Sequence, residues 1–515
     1  MAAPSSEMAT ESQPLLSENV GEMNTRKKTR NKLLILIVGA IFILAADSGF
    51  YLSVAPQTAI FEKIICRNYL EFLDSTNTTL PASDVADPCK SEAVQGELAL
   101  ITGYKDGFAV VPTILLSLPY GVLADHWGRK PVVYLGMLGI VLDELWTRLI
   151  CLWSGVLPLR MVWLSALWKI IGGGDQVVTS VVCTMIADVV SENERSTALF
   201  TLMSWVFVAD IVATPTSAYL MTFDPWIPWT LGYFIIVLGC IPFLFLPETL
   251  GDAKAKKSSS HRTDNTTQFT EPTRKMSSMQ MVLYRLREFK ESAQFIWKDT
   301  NVMWMIMISF VSMMSRQSTN ILLQYASKRF GWSIAKASLL VTIRGSVGLT
   351  TCLVLMPGLN WLSGKYLNLH GKYRDHWLSK ITGILSVVGF LLVGLAPTTA
   401  LLIFGLVIVA MGGAFGVNTR SLATALVVPD HVGTLYSSFA ISQSMGIFLA
   451  GPLFAYLFKW GLHLGNAWLG LPFLQAGLFF ALATVAVWRI RVDQSLPGDD
   501  GEQEEEQEPL ITESS

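Results

Sequence analysis

The sequence predicts an all-α membrane protein with twelve transmembrane helices in two pseudo-symmetric six-helix bundles. Its 515 residues are 51% hydrophobic and only 15% charged, whereas soluble proteins carry roughly 25% charge. The apolar residues are grouped into runs of about 20, which is the length that crosses ~30 Å of hydrocarbon as a helix. These runs fall into two sets of six, separated by a polar stretch at residues 251–298.

The twelve runs carry few charged residues, and polar segments separate them. They lie at about residues 33–54, 99–121, 131–153, 158–182, 197–222, 229–247, 300–325, 335–358, 379–396, 399–427, 434–458 and 467–489.

The polar segments define the domain organisation. Residues 1–32 are predicted to be a disordered cytoplasmic N-terminus, because they begin rich in Ser, Glu and Pro and end in a basic cluster typical of the cytoplasmic side. Residues 33–250 and 299–490 form the two bundles. Residues 251–298 are basic and are predicted to be a cytoplasmic linker with an amphipathic helix at the membrane surface. Residues 491–515 form an acidic cytoplasmic tail.

The stretch at residues 55–97 is predicted to be a polar loop on the outer side. Asn77-Thr78-Thr79 is a glycosylation acceptor sequence. Cys66 and Cys89 lie in the same segment, either as a disulfide or as two free thiols.

A charged, glycine-punctuated hinge at residues 121–131 lies between the second and third runs. Gly121 and Gly128 permit a tight turn. Asp125 could face a helix N-terminus or a cation of the other bundle, and Arg129 and Lys130 could pair with acids such as Asp188. The hinge is then a conformational latch; the alternative is plain positive charge that only fixes topology.

The hinge has a degenerate second copy in the second set of runs. Asp125-His126-Trp127 recurs as Asp375-His376-Trp377, at the equivalent position between two apolar runs. The glycine and arginine of the first copy are absent from the second, so the two copies do not have the same role.

The hinge resembles the loop-2/3 signature of the major facilitator superfamily. The positions that carry the resemblance are Gly121, Leu123, Asp125, Gly128, Arg129 and Lys130. The segment Leu246-Pro247-Glu248-Thr249-Leu250 resembles the closing motif of many fungal members, and the long outer loop resembles the proton-coupled folate transporters. The resemblance implies secondary transport by rocking of two bundles around a midplane site.

Two further family signatures are incomplete. Lys169 occupies the helix-4 position where proton-coupled members usually carry Arg, and Lys can change protonation when buried. The helix-5 antiporter motif is reduced to Thr214-Pro215-Thr216-Ser217-Ala218, which weakens the argument for export.

Ionisable residues within apolar runs are candidates for a functional site, because charge at membrane depth is costly. The candidates for proton coupling or the substrate cavity are Asp47, Lys169, Asp175, Asp210, Arg316 and Arg344. Glu144 and Arg148 are four residues apart and are interpreted as an ordinary intrahelical pair. Arg420 lies near a helix end and is open to interpretation as a topology charge.

These features predict a secondary transporter, with proton-coupled efflux of a small organic compound as the leading hypothesis. The alternatives are proton-coupled uptake of an organic anion, or a non-transporting membrane sensor. No enzyme motif or metal-ligand spacing is present in the sequence, so we expect no catalysis, no metal and no cofactor. The expected partners are a small-molecule substrate, protons and the bilayer, but not nucleic acid. We expect a monomer in the plasma membrane, with a vacuolar or endosomal membrane as the alternative.

Overall fold

The fold is described from a computed structural model of the chain. The structure describes residues 12–77, 87–190, 192–246, 248, 300–366, 371–427 and 432–490. The predicted linker helix, the acidic tail and the first eleven residues lie outside this part of the chain.

The first bundle contains six membrane crossings. Its helices are α1 (Ser12–Thr76), α2 (Glu92–Trp127), α3 (Arg129–Leu152), α4 (Asp175–Val189), α5 (Glu192–Leu220) and α6 (Trp226–Leu244), with a 3-10 helix at Leu159–Ile170 that begins the fourth crossing.

The second bundle contains six more crossings, three of them built from two helices. Its helices are α7 (Thr300–Arg316), α8 (Leu322–Phe330), α9 (Ile334–Thr350), α10 (Met356–Tyr366), α11 (Gly371–Leu395), α12 (Thr399–Met411), α13 (Phe415–Leu426), α14 (Val432–Leu464) and α15 (Leu471–Arg489). Short irregular turns, Gln317–Ile321, Thr351–Leu355 and Gly412–Ala414, join α7 to α8, α9 to α10 and α12 to α13. The predicted fold class is confirmed.

Eight helical stretches of the described chain are long and apolar enough to cross a membrane by length and composition alone. The remaining four crossings each carry an ionisable residue at depth. These residues are Asp143 in α3, Lys169 in the 3-10 helix, Asp210 in α5 and Arg316 in α7.

Helix α1 is longer at both ends than its apolar run. Residues 12–32, expected to be disordered, are helical here, because extending an existing helix is far easier than nucleating a new one. At the other end, the polar loop expected from residue 55 is helical to Thr76. Phe61, Ile64 and Ile65 recur at helical spacing and are buried against α2 and the 3-10 helix, which explains the extension.

The fourth crossing, predicted as one continuous helix, is broken. Gly172, Gly173 and Gly174 all have left-handed φ angles, of 92°, 81° and 86°, which side chains rarely tolerate. A break at membrane depth exposes backbone polar groups that need partners. Side chains of α2 supply two of them: the Tyr120 hydroxyl donates to the Ile170 carbonyl at 3.0 Å, and the Thr113 hydroxyl to the Gly173 carbonyl at 3.0 Å.

The two bundles meet at the end of the molecule that carries Cys66 and Cys89, here called the disulfide end; the opposite end carries the hinge and is called the hinge end. Helices α2 and α14 approach so closely that a Cβ on Gly103 would lie 2.5 Å from the Gly451 carbonyl oxygen. Small residues at such crossings let two backbones touch.

Polar contacts reinforce this junction. The Lys90 ammonium donates to the Ser327 hydroxyl at 2.7 Å, and Glu92 lies 3.3 Å from His463. A third bond joins Gln324 to the Thr102 hydroxyl at 3.2 Å. The two bundles thus contact each other at the disulfide end, and a central cavity lies between them.

Candidate functional site: an arginine-lined cavity between the bundles

A cavity of about 240 Å³ lies between the bundles. The first bundle contributes Tyr51 of α1 and Phe207 and Asp210 of α5. The second bundle contributes most of the wall, including three arginines. Its polar or charged lining residues are Ser309, Ser312, Arg316, Thr319, Arg344, Thr351, Cys352, Ser386, Thr419, Arg420 and Gln443.

The three arginines come from three different helices. Arg316 ends α7, Arg344 lies in α9 and Arg420 lies in α13. The side chains of Arg316 and Arg420 are exposed to the cavity, and Arg344 is half-buried. Because guanidinium groups stay charged in proteins, the cavity carries fixed positive charge.

Arg420 is oriented by a hydrogen-bond chain between helices. Its guanidinium donates to the Gln443 side-chain oxygen at 2.5 Å, and the Gln443 amide donates to the Ser309 hydroxyl at 2.8 Å. The sequence left Arg420 open to interpretation as a topology charge. In the structure it lines the cavity instead, on the helix that follows Gly412–Ala414.

Asp210 supplies the only carboxylate among the described lining residues. Its side chain is 2% exposed and accepts a hydrogen bond from the Thr214 hydroxyl at 3.0 Å. Gly345, next to Arg344, lies directly against this carboxylate, and a Cβ there would overlap it. Asp210 and Arg344 therefore bring opposite charges to the same side of the cavity.

Lys169 and Asp175, predicted for the same site, lie in a separate cluster within the first bundle. The Lys169 ammonium is 2.6 Å from the Asp175 carboxylate and 3.6 Å from that of Asp143. The glycine break places Lys169 and Asp175 on its two sides, which lets one pair with the other. Neither residue lines the central cavity.

Asp47 lies one helical turn before Tyr51 on α1 and also falls outside the cavity lining. The predicted pair between Arg148 and Glu144 is formed within α3. Arg148 also donates to the Trp229 carbonyl at 2.7 Å, which ties α3 to α6.

The hinge forms a network inside the first bundle. Gly128 links α2 to α3 with a φ of 116°. The Arg129 guanidinium lies 2.8 Å from the Asp125 carboxylate and 3.5 Å from that of Asp188. Asp125 therefore pairs within its own bundle, because Arg129 lies one turn away. Gly121 has open space around it.

Glu248 completes this network, a role that its motif did not reveal. Its two carboxylate oxygens accept hydrogen bonds from the backbone N–H groups of Arg129 and Lys130, at 2.9 and 3.1 Å. The Lys130 ammonium donates to the Leu244 carbonyl at 2.9 Å. A carboxylate at a helix N-terminus satisfies free N–H groups and opposes the positive end of the dipole.

The remaining predicted sites lie at the disulfide end. Cys66 and Cys89 are joined by a disulfide, with Cα atoms 5.0 Å apart. Asn77 is exposed at the end of α1 and has a left-handed φ of 48°. That conformation ends the helix.

Comparison with known proteins gives the class. The sequence model of the Major Facilitator Superfamily matches residues 37–368 and 305–514, so this chain belongs to that superfamily. It is 33% identical over 476 residues to the MFS-type transporter avaK of Aspergillus versicolor, covering 92% of this chain and 96% of that protein.

A second relative supports the same class, and a solved structure has the same fold. The chain is 34% identical over 459 residues to the efflux pump ustT of Aspergillus flavus, covering 89% of this chain and 88% of that protein. The fold matches the crystal structure of the nucleoside transporter NupG, with a TM-score of 0.58, 13% identity and coverage of 90% and 100%. The protein is a multi-pass membrane transporter.

Proposed function

We propose that this protein exports a small organic compound from the cytoplasm in exchange for protons, by alternating access of the central cavity. The observation that carries the proposal is the cavity between two separate bundles, which combines fixed positive charge with one buried carboxylate. The efflux pump ustT, a relative over most of the chain, supports the outward direction.

The hinge end is the cytoplasmic side in this proposal. Basic residues gather there, at Arg129 and Lys130, and basic loops are retained in the cytoplasm. The disulfide between Cys66 and Cys89 suits the opposite, oxidising side. The plasma membrane is the proposed location.

Alternating access requires the junction at the disulfide end to open and the hinge end to close. The hinge network joins α2, α3, α4 and the segment after α6 through Arg129 and Glu248. On that basis we assign the hinge network the role of a latch. The second bundle would contact this network when the hinge end closes.

Asp210 is the proposed proton carrier. It is buried in the cavity beside Arg344, so its charge state alters the electrostatics that a substrate meets. Asp47 lies outside the cavity lining and is a matched control carboxylate in the same bundle.

The test is transport by purified protein in proteoliposomes with an imposed pH gradient and a panel of organic anions and lipophilic drugs. Export predicts substrate movement opposite to proton flow. We expect Asp210→Asn to abolish gradient-driven transport but to keep substrate exchange without a gradient, and Asp47→Asn to keep both. Equal gradient-driven rates in Asp210→Asn and wild type would remove Asp210 from the coupling role.

Proton-coupled uptake of an organic anion is a second candidate, favoured by the proximity of Asp210 and Arg344. Protonation of Asp210 removes the negative charge next to this arginine, so a proton and an anion would bind together. Substrate movement in the same direction as proton flow would overturn export and support uptake.

A further inference from the structure

We propose that the cavity binds a compact organic dianion, with two carboxylate-type groups on an apolar body, at Arg316, Arg344 and Arg420. This rests on the proposed function, since it takes the cavity to be the transport site. The first argument is charge: the described lining residues include three guanidinium groups and a single carboxylate, Asp210. Two positive charges therefore remain without a counter-charge.

The second argument is hydrogen-bonding capacity. No carboxylate of the described residues lies within 4.0 Å of Arg316, Arg344 or Arg420, whereas Arg129 and Arg148 outside the cavity are each paired with at least one. Among these three arginines, Arg420 has a side-chain hydrogen-bond partner within the described part of the chain, the neutral Gln443. Guanidinium groups bind carboxylates through two parallel hydrogen bonds, so all three arginines retain N–H donors for a ligand.

The third argument is arrangement. The guanidinium of Arg316 lies over Gly413 and Gly416, whose Cβ positions would be 3.9 Å from its two terminal nitrogens. Arg316 therefore lies beside the segment that leads into the helix carrying Arg420, one turn beyond Gly416. Arg344 comes from a third helix, next to Gly345, which lies against Asp210. Three cations from three helices suit a ligand with two anionic groups.

The fourth argument is the apolar part of the wall. Phe207 and Met313 are half-buried and Val417 is exposed, and all three line the same cavity with apolar surface. A volume of about 240 Å³ is just below the roughly 300–1,000 Å³ of ordinary ligand pockets. The body between the charges is therefore small and apolar, as in an aromatic dicarboxylate.

Cys352 provides a probe that does not require the natural substrate, because it is exposed and lines the cavity. In full-length protein with Cys151, Cys183 and Cys240 replaced by Ala, Cys352 would be labelled with sulfonatoethyl and trimethylammonioethyl methanethiosulfonate. The ratio of the anionic to the cationic labelling rate, divided by the same ratio for a free thiol in solution, reports the electrostatic potential at Cys352. Any change in thiolate fraction cancels in this ratio.

We expect the anionic reagent to be favoured at least about tenfold over the free-thiol ratio. Arg316→Gln, Arg344→Gln and Arg420→Gln should each lower this preference several-fold, and the corresponding Lys variants should restore it. Arg489→Gln, at the exposed end of α15, should leave it unchanged. A ratio equal to that of the free thiol would overturn the proposal.

The number of charges is tested by protection of Cys352 with three matched compounds: isophthalate, benzoate and isophthalamide. We expect isophthalate to protect at concentrations at least tenfold lower than benzoate, and isophthalamide to be the weakest. Equal protection by all three, or none by isophthalate, would overturn the dianion assignment. Melting temperatures measured alongside would identify any variant that has lost its fold.

Binding and transport can fail separately in this design. Retained anion preference and protection without transport in proteoliposomes would refute the proposed function and leave the anion site standing. Transport of uncharged compounds without anion preference would refute the anion site and leave the transport function standing.

Discussion

The Glu248 carboxylate accepts a hydrogen bond from the backbone N–H of Arg129 at 2.9 Å, and so joins the end of α6 to the start of α3. The two residues are far apart in sequence, yet they meet because Gly128 turns the chain sharply between α2 and α3. The first turn of α3 thereby gains an anion at its positive end, and the hinge gains a fixed conformation.

Replacing Glu248 should therefore loosen the hinge. We expect Glu248→Ala to cost about 0.3–1 kcal/mol, typical of a charge at an exposed helix N-terminus, and to lower the melting temperature of the purified protein. Glu248→Gln should lower the melting temperature less, because its amide oxygen still accepts a hydrogen bond from one backbone N–H. Glu71→Ala, in an exposed pair on α1, is the control. A melting temperature unchanged by Glu248→Ala would show that the cap contributes nothing to stability.

Lys169 should be essential for the stability of the first bundle. Its side chain is 10% exposed and that of Asp143 is 6% exposed. Removing one partner of a buried pair leaves an uncompensated charge, which costs about 3–5 kcal/mol. We expect Lys169→Met to lower the melting temperature strongly, and Lys169→Met combined with Asp143→Asn to recover much of the loss.

Asp175 provides the matched comparison in the same cluster. Its side chain is 56% exposed, so its pair with Lys169 is screened and worth about 1 kcal/mol or less. Asp175→Asn should therefore change the melting temperature far less than Asp143→Asn. The reverse order would mean that the outer carboxylate, not the buried one, holds Lys169 in place.

The hydropathy of the sequence was sufficient to predict twelve crossings and the place of the hinge, because both depend on local composition. The pairing of Arg129 with Asp188 could also be predicted from the sequence, since both flank apolar runs. The division of the buried charges into two sites could not be predicted. It depends on the break at Gly172–Gly174 and on the packing of α13 beside the cavity, because helix packing decides which charges meet.

The roles of Glu248 and Arg420 were missed for a related reason. Both lie close to the ends of apolar runs, where a charge ordinarily faces water or fixes topology. Their contacts come from helices distant in the sequence: Glu248 binds α3, and Arg420 meets Gln443 of α14. Hydropathy reports the depth of a residue in the membrane, but not its neighbours.

The close crossing of α2 and α14 predicts that small substitutions will open the disulfide end. A Cβ on Gly103 would lie 2.5 Å from the Gly451 carbonyl oxygen, so the helices must separate to accommodate Gly103→Ala. Gly155→Ala is the control, because Gly155 has open space around it.

Cross-linking across the same junction measures this opening. The side-chain tips of Glu92 and His463 lie 3.3 Å apart, so cysteines at these positions, in protein lacking the four free cysteines, should be joined by a short bifunctional methanethiosulfonate reagent. We expect Gly103→Ala to reduce the yield several-fold and Gly155→Ala to leave it unchanged. An undiminished yield would mean that the junction absorbs the extra methyl group without opening.

The disulfide between Cys66 and Cys89 should stabilise the same end of the molecule. It closes a segment with a sequence separation of 23 residues, for which loop-closure entropy predicts about 3 kcal/mol. It also fixes the residue before Lys90, whose ammonium binds Glu62 and Ser327 and so bridges the bundles.

Reduction by dithiothreitol should therefore lower the melting temperature of wild-type protein, and Cys66→Ser should give the same low value with or without reductant. Cys352→Ser should keep the wild-type response, because its thiol lies in the cavity away from this bond. If wild-type protein melted at one temperature in both conditions, the disulfide would add nothing to the noncovalent contacts of the disulfide end, such as those of Lys90 and Glu92.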